Sequence, residues 1–143
     1  MKVAVNKCYG GFGLSAKAKA RLAELNVKTA FFYRQTKYTF KDGLEEYTRV
    51  PADSTEAKGM SIYAITVDLG EKTSTMPDDD ALWLSDYRLE RTDPKLIQVI
   101  EELGDEASGP CAKVRVVEIP DGIQFEIEEY DGIEHVAEVH RCW

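Results

Sequence analysis

The chain has 143 residues, 43% of them hydrophobic and 31% charged, enough to bury one core and consistent with a single domain over 1–143. Its net charge of −8 argues against generic nucleic-acid binding, which draws on lysine and arginine to displace counterions from phosphates. No run approaches the roughly 18 apolar residues of a membrane span, and Met1-Lys2-Val3 leads into a strand pattern rather than a signal peptide; a cytoplasmic protein with no membrane contact is expected.

In chain order, Val3 and Val5 alternate with Lys2, Ala4 and Asn6, which predicts a first strand closed by Gly10-Gly11-Phe12-Gly13. Ser15 is a good N-cap for the alanine-rich stretch to Leu25, with Asn26 suited to its end, so a helix is predicted over about 15–25. Val27 to Tyr33 and Lys37 to Phe40 are β-branched and aromatic runs that read as two strands, with Lys41-Asp42-Gly43 as the following turn. From Leu44 to Gly59 the pattern is polar and marked by Pro51, Asp53 and Ser54, which predicts a flap or insertion.

Met60 to Leu69 is apolar on both alternating faces and reads as a central strand covered on each side. Ala81 to Leu84 is a short apolar strand. Asp93 as cap and Pro94 as first helical residue open a second helix over about 93–103, closed by Gly104, with Leu96, Val99, Ile100 and Leu103 as its buried stripe. Lys113 to Ile119 reads as a strand; Ile123 to Glu128 alternates strictly, and Asp131-Gly132 is the pair preferred by a two-residue hairpin turn returning through Ile133 to Val139. The sum is an α+β fold: a mostly antiparallel sheet, two main helices and a C-terminal β-hairpin.

Chemistry-bearing patterns are few. Gly11-x-Gly13-x-x-Ala16 has the spacing of a dinucleotide fingerprint, with a strand before and a helix after and Arg34 beyond the next strand, yet the remaining chain lacks the further βα units such a fold needs. Two readings stay open for this turn: backbone N–H groups at the helix entrance that hold a phosphate or carboxylate, or glycines that simply permit a tight strand-to-helix turn. His135-x-x-Glu138-x-His140 has the wrong spacing for a zinc hydrolase. Cys8, Cys111 and Cys142 form no Cys-x-x-Cys pair and indicate neither a disulfide framework nor a metal site. No nucleophile elbow or phosphate loop occurs, and the paired carboxylates read as a solvated face. No catalytic residue, metal or cofactor is expected. Arg88 and Arg91 with Tyr87, and the terminal His140, Arg141 and Trp143, combine guanidinium and aromatic groups able to clamp phosphates and stack on a base. A terminal Trp143 is more often a core plug or an oligomer contact than a ligand platform.

Residues 1–50 carry ten Lys or Arg against four Asp or Glu, and residues 51–143 carry eight against twenty-two, giving +6 and −14. A basic part of this kind attracts a small anion, unless the halves neutralise each other within the domain or between copies stacked head to tail.

Three motif groups are similar to a widespread family of small proteins of tailed bacteriophages and prophages. They are Asn6-x-Cys8-Tyr9-Gly10-Gly11-Phe12-Gly13-Leu14-Ser15, Ser85-Asp86-Tyr87 with Arg91-Thr92-Asp93-Pro94, and Glu118-Ile119-Pro120-Asp121-Gly122 with Ile127-Glu128-Glu129-Tyr130-Asp131-Gly132 and His140-Arg141-x-Trp143. The likeness covers about the first fifteen and last sixty residues. It implies a phage origin and action inside a host bacterial cell, but supplies no catalytic residues. The resulting expectation is a non-enzymatic, homo-oligomeric protein that sequesters a small nucleotide-like immune signalling molecule. The ligand would be met by Asn6, Gly10, Gly11, Phe12, Gly13, Ser15, Arg88, Arg91, Tyr130, His140, Arg141 and Trp143. Two alternatives are an acidic decoy that binds and inhibits a host defence protein, and a small nucleotide-processing enzyme using His135 or His140.

Overall fold

A computed structural model of the chain describes residues 1–39, 41–59 and 61–139. The fold is α+β, with two helices and eight strands paired only in the antiparallel sense: β1 (Lys2–Asn6), α1 (Ala16–Leu25), β2 (Phe31–Thr39), β3 (Leu44–Val50), β4 (Ile62–Ile65), β5 (Lys72–Thr73), α2 (Pro94–Leu103), β6 (Val114–Glu118), β7 (Phe125–Tyr130) and β8 (Ile133–Glu138). They form three sheets: β1 with β6, a four-stranded sheet in the order β4-β2-β3-β5, and the hairpin β7-β8. A parallel sheet, which a dinucleotide fold requires, is therefore absent among the described residues. Among the described residues no helix is long and apolar enough to cross a membrane.

Two cores result. In the first, Ala4 and Val114 from β1 and β6 meet Ala18 and Leu22 of α1 and Leu96, Ile97, Val99 and Ile100 of α2. The i, i+4 spacing of Ala18 and Leu22 puts both on one helix face. Both helices start where local chemistry dictates. The Ser15 hydroxyl accepts the Ala18 N–H at 3.1 Å and donates to the Glu106 carbonyl at 2.6 Å, while Asp93 accepts the Lys95 N–H at 3.0 Å ahead of Pro94. Helix α1 ends at Asn26, as the sequence suggested. Asn26 caps it, but the left-handed residue is Val27, at φ 57°, with the Lys28 N–H on the Ala23 carbonyl and the Val27 N–H on that of Glu24. On the other face of β1, Val3 and Val5 are also fully buried, and β8 lies alongside the strand.

The second core gathers Tyr33, Tyr47 and Ile65, with Tyr63 and Trp83 packed edge to face at their rim. Here several sequence expectations give way. The runs at Val27–Tyr33 and Lys37–Phe40 are one strand, Phe31–Thr39, with a register shift between Gln35 and Lys37. The first half of the expected flap is strand β3; only Pro51–Gly59 is loop, with one short 3-10 turn. Strand β4 lies at a sheet edge instead of the centre, while β2 is interior. Its apolar pattern on both faces arises because Tyr63 and Ile65 pack in the second core while Ile62 and Ala64 face the cleft; residues 82–84 bond along its edge, through Thr66 N–H to Leu82 O and Leu84 N–H to Ala64 O. Ala81–Leu84 is accordingly a 3-10 turn and an isolated bridge from Trp83 to Ile65, not a strand.

Candidate functional site

The turn after β1 is held by a network that sequence separation hides. Asn6 is fully buried, and its amide nitrogen donates to the carbonyls of Cys8 and Gly132, both at 2.7 Å, while its oxygen accepts the Lys113 N–H at 2.8 Å. The Asn6 N–H reaches Glu134 Oε1 at 2.8 Å. Glu134, only 7% exposed, takes a two-pronged bond from Arg91 at 2.7 and 3.0 Å. The Arg91 guanidinium also donates to the Ala4 carbonyl and lies 3.7 Å from the centre of the Phe12 ring. Gly132 packs so closely that a Cβ there would lie 2.4 Å from the Gly11 nitrogen. Asn6 and Arg91, expected to meet a ligand, thus spend their polar groups inside the protein.

What this network positions is the wall of a cleft of about 810 Å³ between the two cores. Gly10, Gly11, Phe12, Gly13 and Ser15 line one side, and Phe32, Ile62 and Ala64 of the four-stranded sheet the other, with Lys58 and Gly59 from the Pro51–Gly59 loop and Tyr87 also at its border. The backbone N–H groups of Gly11, Phe12 and Gly13 have no hydrogen-bond partner among the described residues. Nor does the Lys58 ammonium. Two further lysines are already engaged, Lys17 with Glu106 at 2.9 Å and Lys19 with Asp86 at 3.5 Å.

The helix entrance itself departs from the expected anion site. The Asp86 carboxylate accepts the Leu14 N–H at 3.4 Å and pairs with Lys19, so a protein carboxylate already takes the position next to the first turn of α1. The unpaired N–H groups of Gly11 to Gly13 come one step earlier in the chain, the Gly11 nitrogen lying against Gly132. Sequence reasoning missed Asp86, Lys58 and Glu134; Ser85-Asp86-Tyr87 was visible as a motif, but nothing local ties it to a helix seventy residues earlier.

Of the remaining expected residues, Arg88 is exposed and tied to Asp80 at 3.2 Å, and Tyr130 is exposed beside the hairpin turn; neither lines the cleft. His140, Arg141 and Trp143, with Cys142, lie outside the described residues. Among the described residues no group of three or more His, Cys, Asp or Glu is arranged to hold a metal, and His135 hydrogen-bonds Glu128 at 2.9 Å on the exposed hairpin. Comparison with protein-family models, curated proteins and solved structures found no match to the chain.

Proposed function

We propose that the protein binds a small anionic, nucleotide-like molecule in the cleft between its two cores and holds it unaltered, withdrawing an immune signal inside a phage-infected bacterium. The cleft carries the reading. Its volume of about 810 Å³ falls in the range of small-molecule sites. Its lining includes residues with unpaired N–H groups and a lysine for phosphate oxygens, and the exposed Tyr87 as a surface for a base. The terminal motifs that resemble phage proteins supply the cellular setting.

Isothermal titration against cyclic oligonucleotides and cyclic ADP-ribose isomers tests the binding. At least one should give heat, with affinity lowered about tenfold by Lys58→Glu. Ligand recovered after denaturing the complex should be intact. A folded sample giving no heat with any of them sinks the proposal, and a chemically altered ligand replaces it with an enzyme.

A further inference from the structure

Cys8 and Cys111 stand 103 residues apart in the chain and come together where β1 and β6 part. The Cys8 Sγ lies 3.5 Å from the Cys111 carbonyl oxygen and 3.6 Å from Asn6 Oδ1. The last ladder pair is Asn6 with Val114, and the Lys7 N–H still reaches the Lys113 carbonyl at 2.8 Å. One further step puts Cys8 opposite Ala112 and diagonal to Cys111. Residues so placed, about 5 Å across and about 3.4 Å along, are about 6 Å apart at Cα. That separation falls inside the roughly 4.4–6.8 Å span of a disulfide.

One buried side chain fixes both partners. The Asn6 amide nitrogen donates to the Cys8 carbonyl at 2.7 Å and its oxygen accepts the Lys113 N–H at 2.8 Å, so Asn6 holds the backbone of Cys8 and that of the segment after Cys111. The Gly-rich turn presses on the same place: a Cβ on Gly10 would lie 3.0 Å from the Cys111 Cβ and clash with its carbonyl oxygen. The two thiols differ in access. Cys111 is exposed and lines the cleft, whereas Cys8 is half-buried.

We propose that Cys8 and Cys111 are a reversible thiol–disulfide pair, oxidised by small disulfides, whose bond ties the start of the Gly-rich turn to the cleft wall at Cys111. The exposed Cys111, as thiolate, attacks one sulfur of a small disulfide; a mixed disulfide forms and one small thiolate leaves. The Cys8 thiolate then attacks the Cys111 sulfur, the protein bond forms and the second small thiolate leaves. The two protons lost by the cysteines go to the two released thiolates. Two protein thiols are thereby oxidised and one small disulfide is reduced, and a small thiol in excess reverses both steps. Closing a loop of roughly 100 residues removes freedom mainly from the unfolded chain, so the oxidised form is the more stable.

Oxidised glutathione added to the reduced full chain under native conditions tests this. Peptide mapping of the wild type should join Cys8 to Cys111, and the urea midpoint should rise until dithiothreitol returns it. Cys142→Ser should form the same bond, with an intact mass lower by about 2 Da for the two hydrogens lost. Cys8→Ser should stop at the mixed disulfide, with one glutathione on Cys111, and Cys111→Ser should leave Cys8 without a protein partner. Mapping of the wild type decides the matter if a serine variant does not fold. A folded wild type that takes up glutathione at Cys111 without closing the bond, or does not react there at all, overturns the proposal. So does a bond that uses Cys142 instead, or a bond between Cys8 and Cys111 that forms only in urea.

Discussion

Arg91 and Glu134 face each other with both guanidinium nitrogens on both carboxylate oxygens, at 2.7 and 3.0 Å, behind the Gly-rich turn. Removing one partner strands a largely buried charge, which costs about 3–5 kcal/mol. Glu134→Leu alone should lower the urea midpoint by that measure. The double variant Arg91→Met with Glu134→Leu should recover a substantial part, since replacing both charges by apolar groups removes the desolvation burden as well as the bond. A double variant no better than the single would mean that the pair acts mainly through Ala4 and Asn6.

Gly132 tests how tightly the hairpin is docked on the turn. Its φ of +90° and the 2.4 Å approach to the Gly11 nitrogen leave no room for a methyl group. Gly132→Ala should cost about 3 kcal/mol or prevent folding. Gly43→Ala, at φ +64° with nothing within 4 Å, should cost only about 1–2 kcal/mol. Equal losses at the two sites, measured by chemical denaturation, would argue against the close packing.

Val27 is a β-branched residue in the left-handed position that ends α1, and it is 94% exposed. Its side chain gains little from burial there and strains the backbone. Val27→Gly should stabilise the protein by about 1 kcal/mol, read as a higher melting temperature.

Tyr47 predicts an alkaline transition. The hydrogen bond to Glu45, followed by burial, pushes its phenol up to about 12. Because the folded state holds this proton more tightly than the unfolded chain does, the contribution is fully present below about pH 10. It is lost as pH rises from there through about 12. Phenolate absorbance should show a late ionising step that Tyr47→Phe abolishes. At the acid end, the Gly70 N–H and then Arg49 hold the Asp68 carboxyl below the usual aspartate range. Its contribution persists above the unfolded value and fades as pH falls through the lowered one.

Features set by neighbours in the chain were legible from sequence. Ser15, Asp93-Pro94 and Asp131-Gly132 announce two helix starts and a hairpin because caps and turns are local chemistry. Strand neighbours were less so. Leu44–Val50 looks polar because only Tyr47 of its seven residues is buried, and Ile62–Ile65 looks central because one of its faces enters the second core and the other the cleft. At the site, the glycines and Ser15 were readable as a turn and a cap. The partners that define it come from far away: Gly132, Glu134 and Asp86 each reach the N-terminal turn across more than seventy residues, and no local pattern encodes such a meeting.

Phe32 and Tyr33 are adjacent on β2, yet one looks into the cleft and the other into the second core. The cleft is thus a seam between two separately packed clusters, and amides that exchange through different cooperative units are the expected consequence. A molecule seated in that seam would act as mortar, making the two halves exchange their hydrogens on one shared clock.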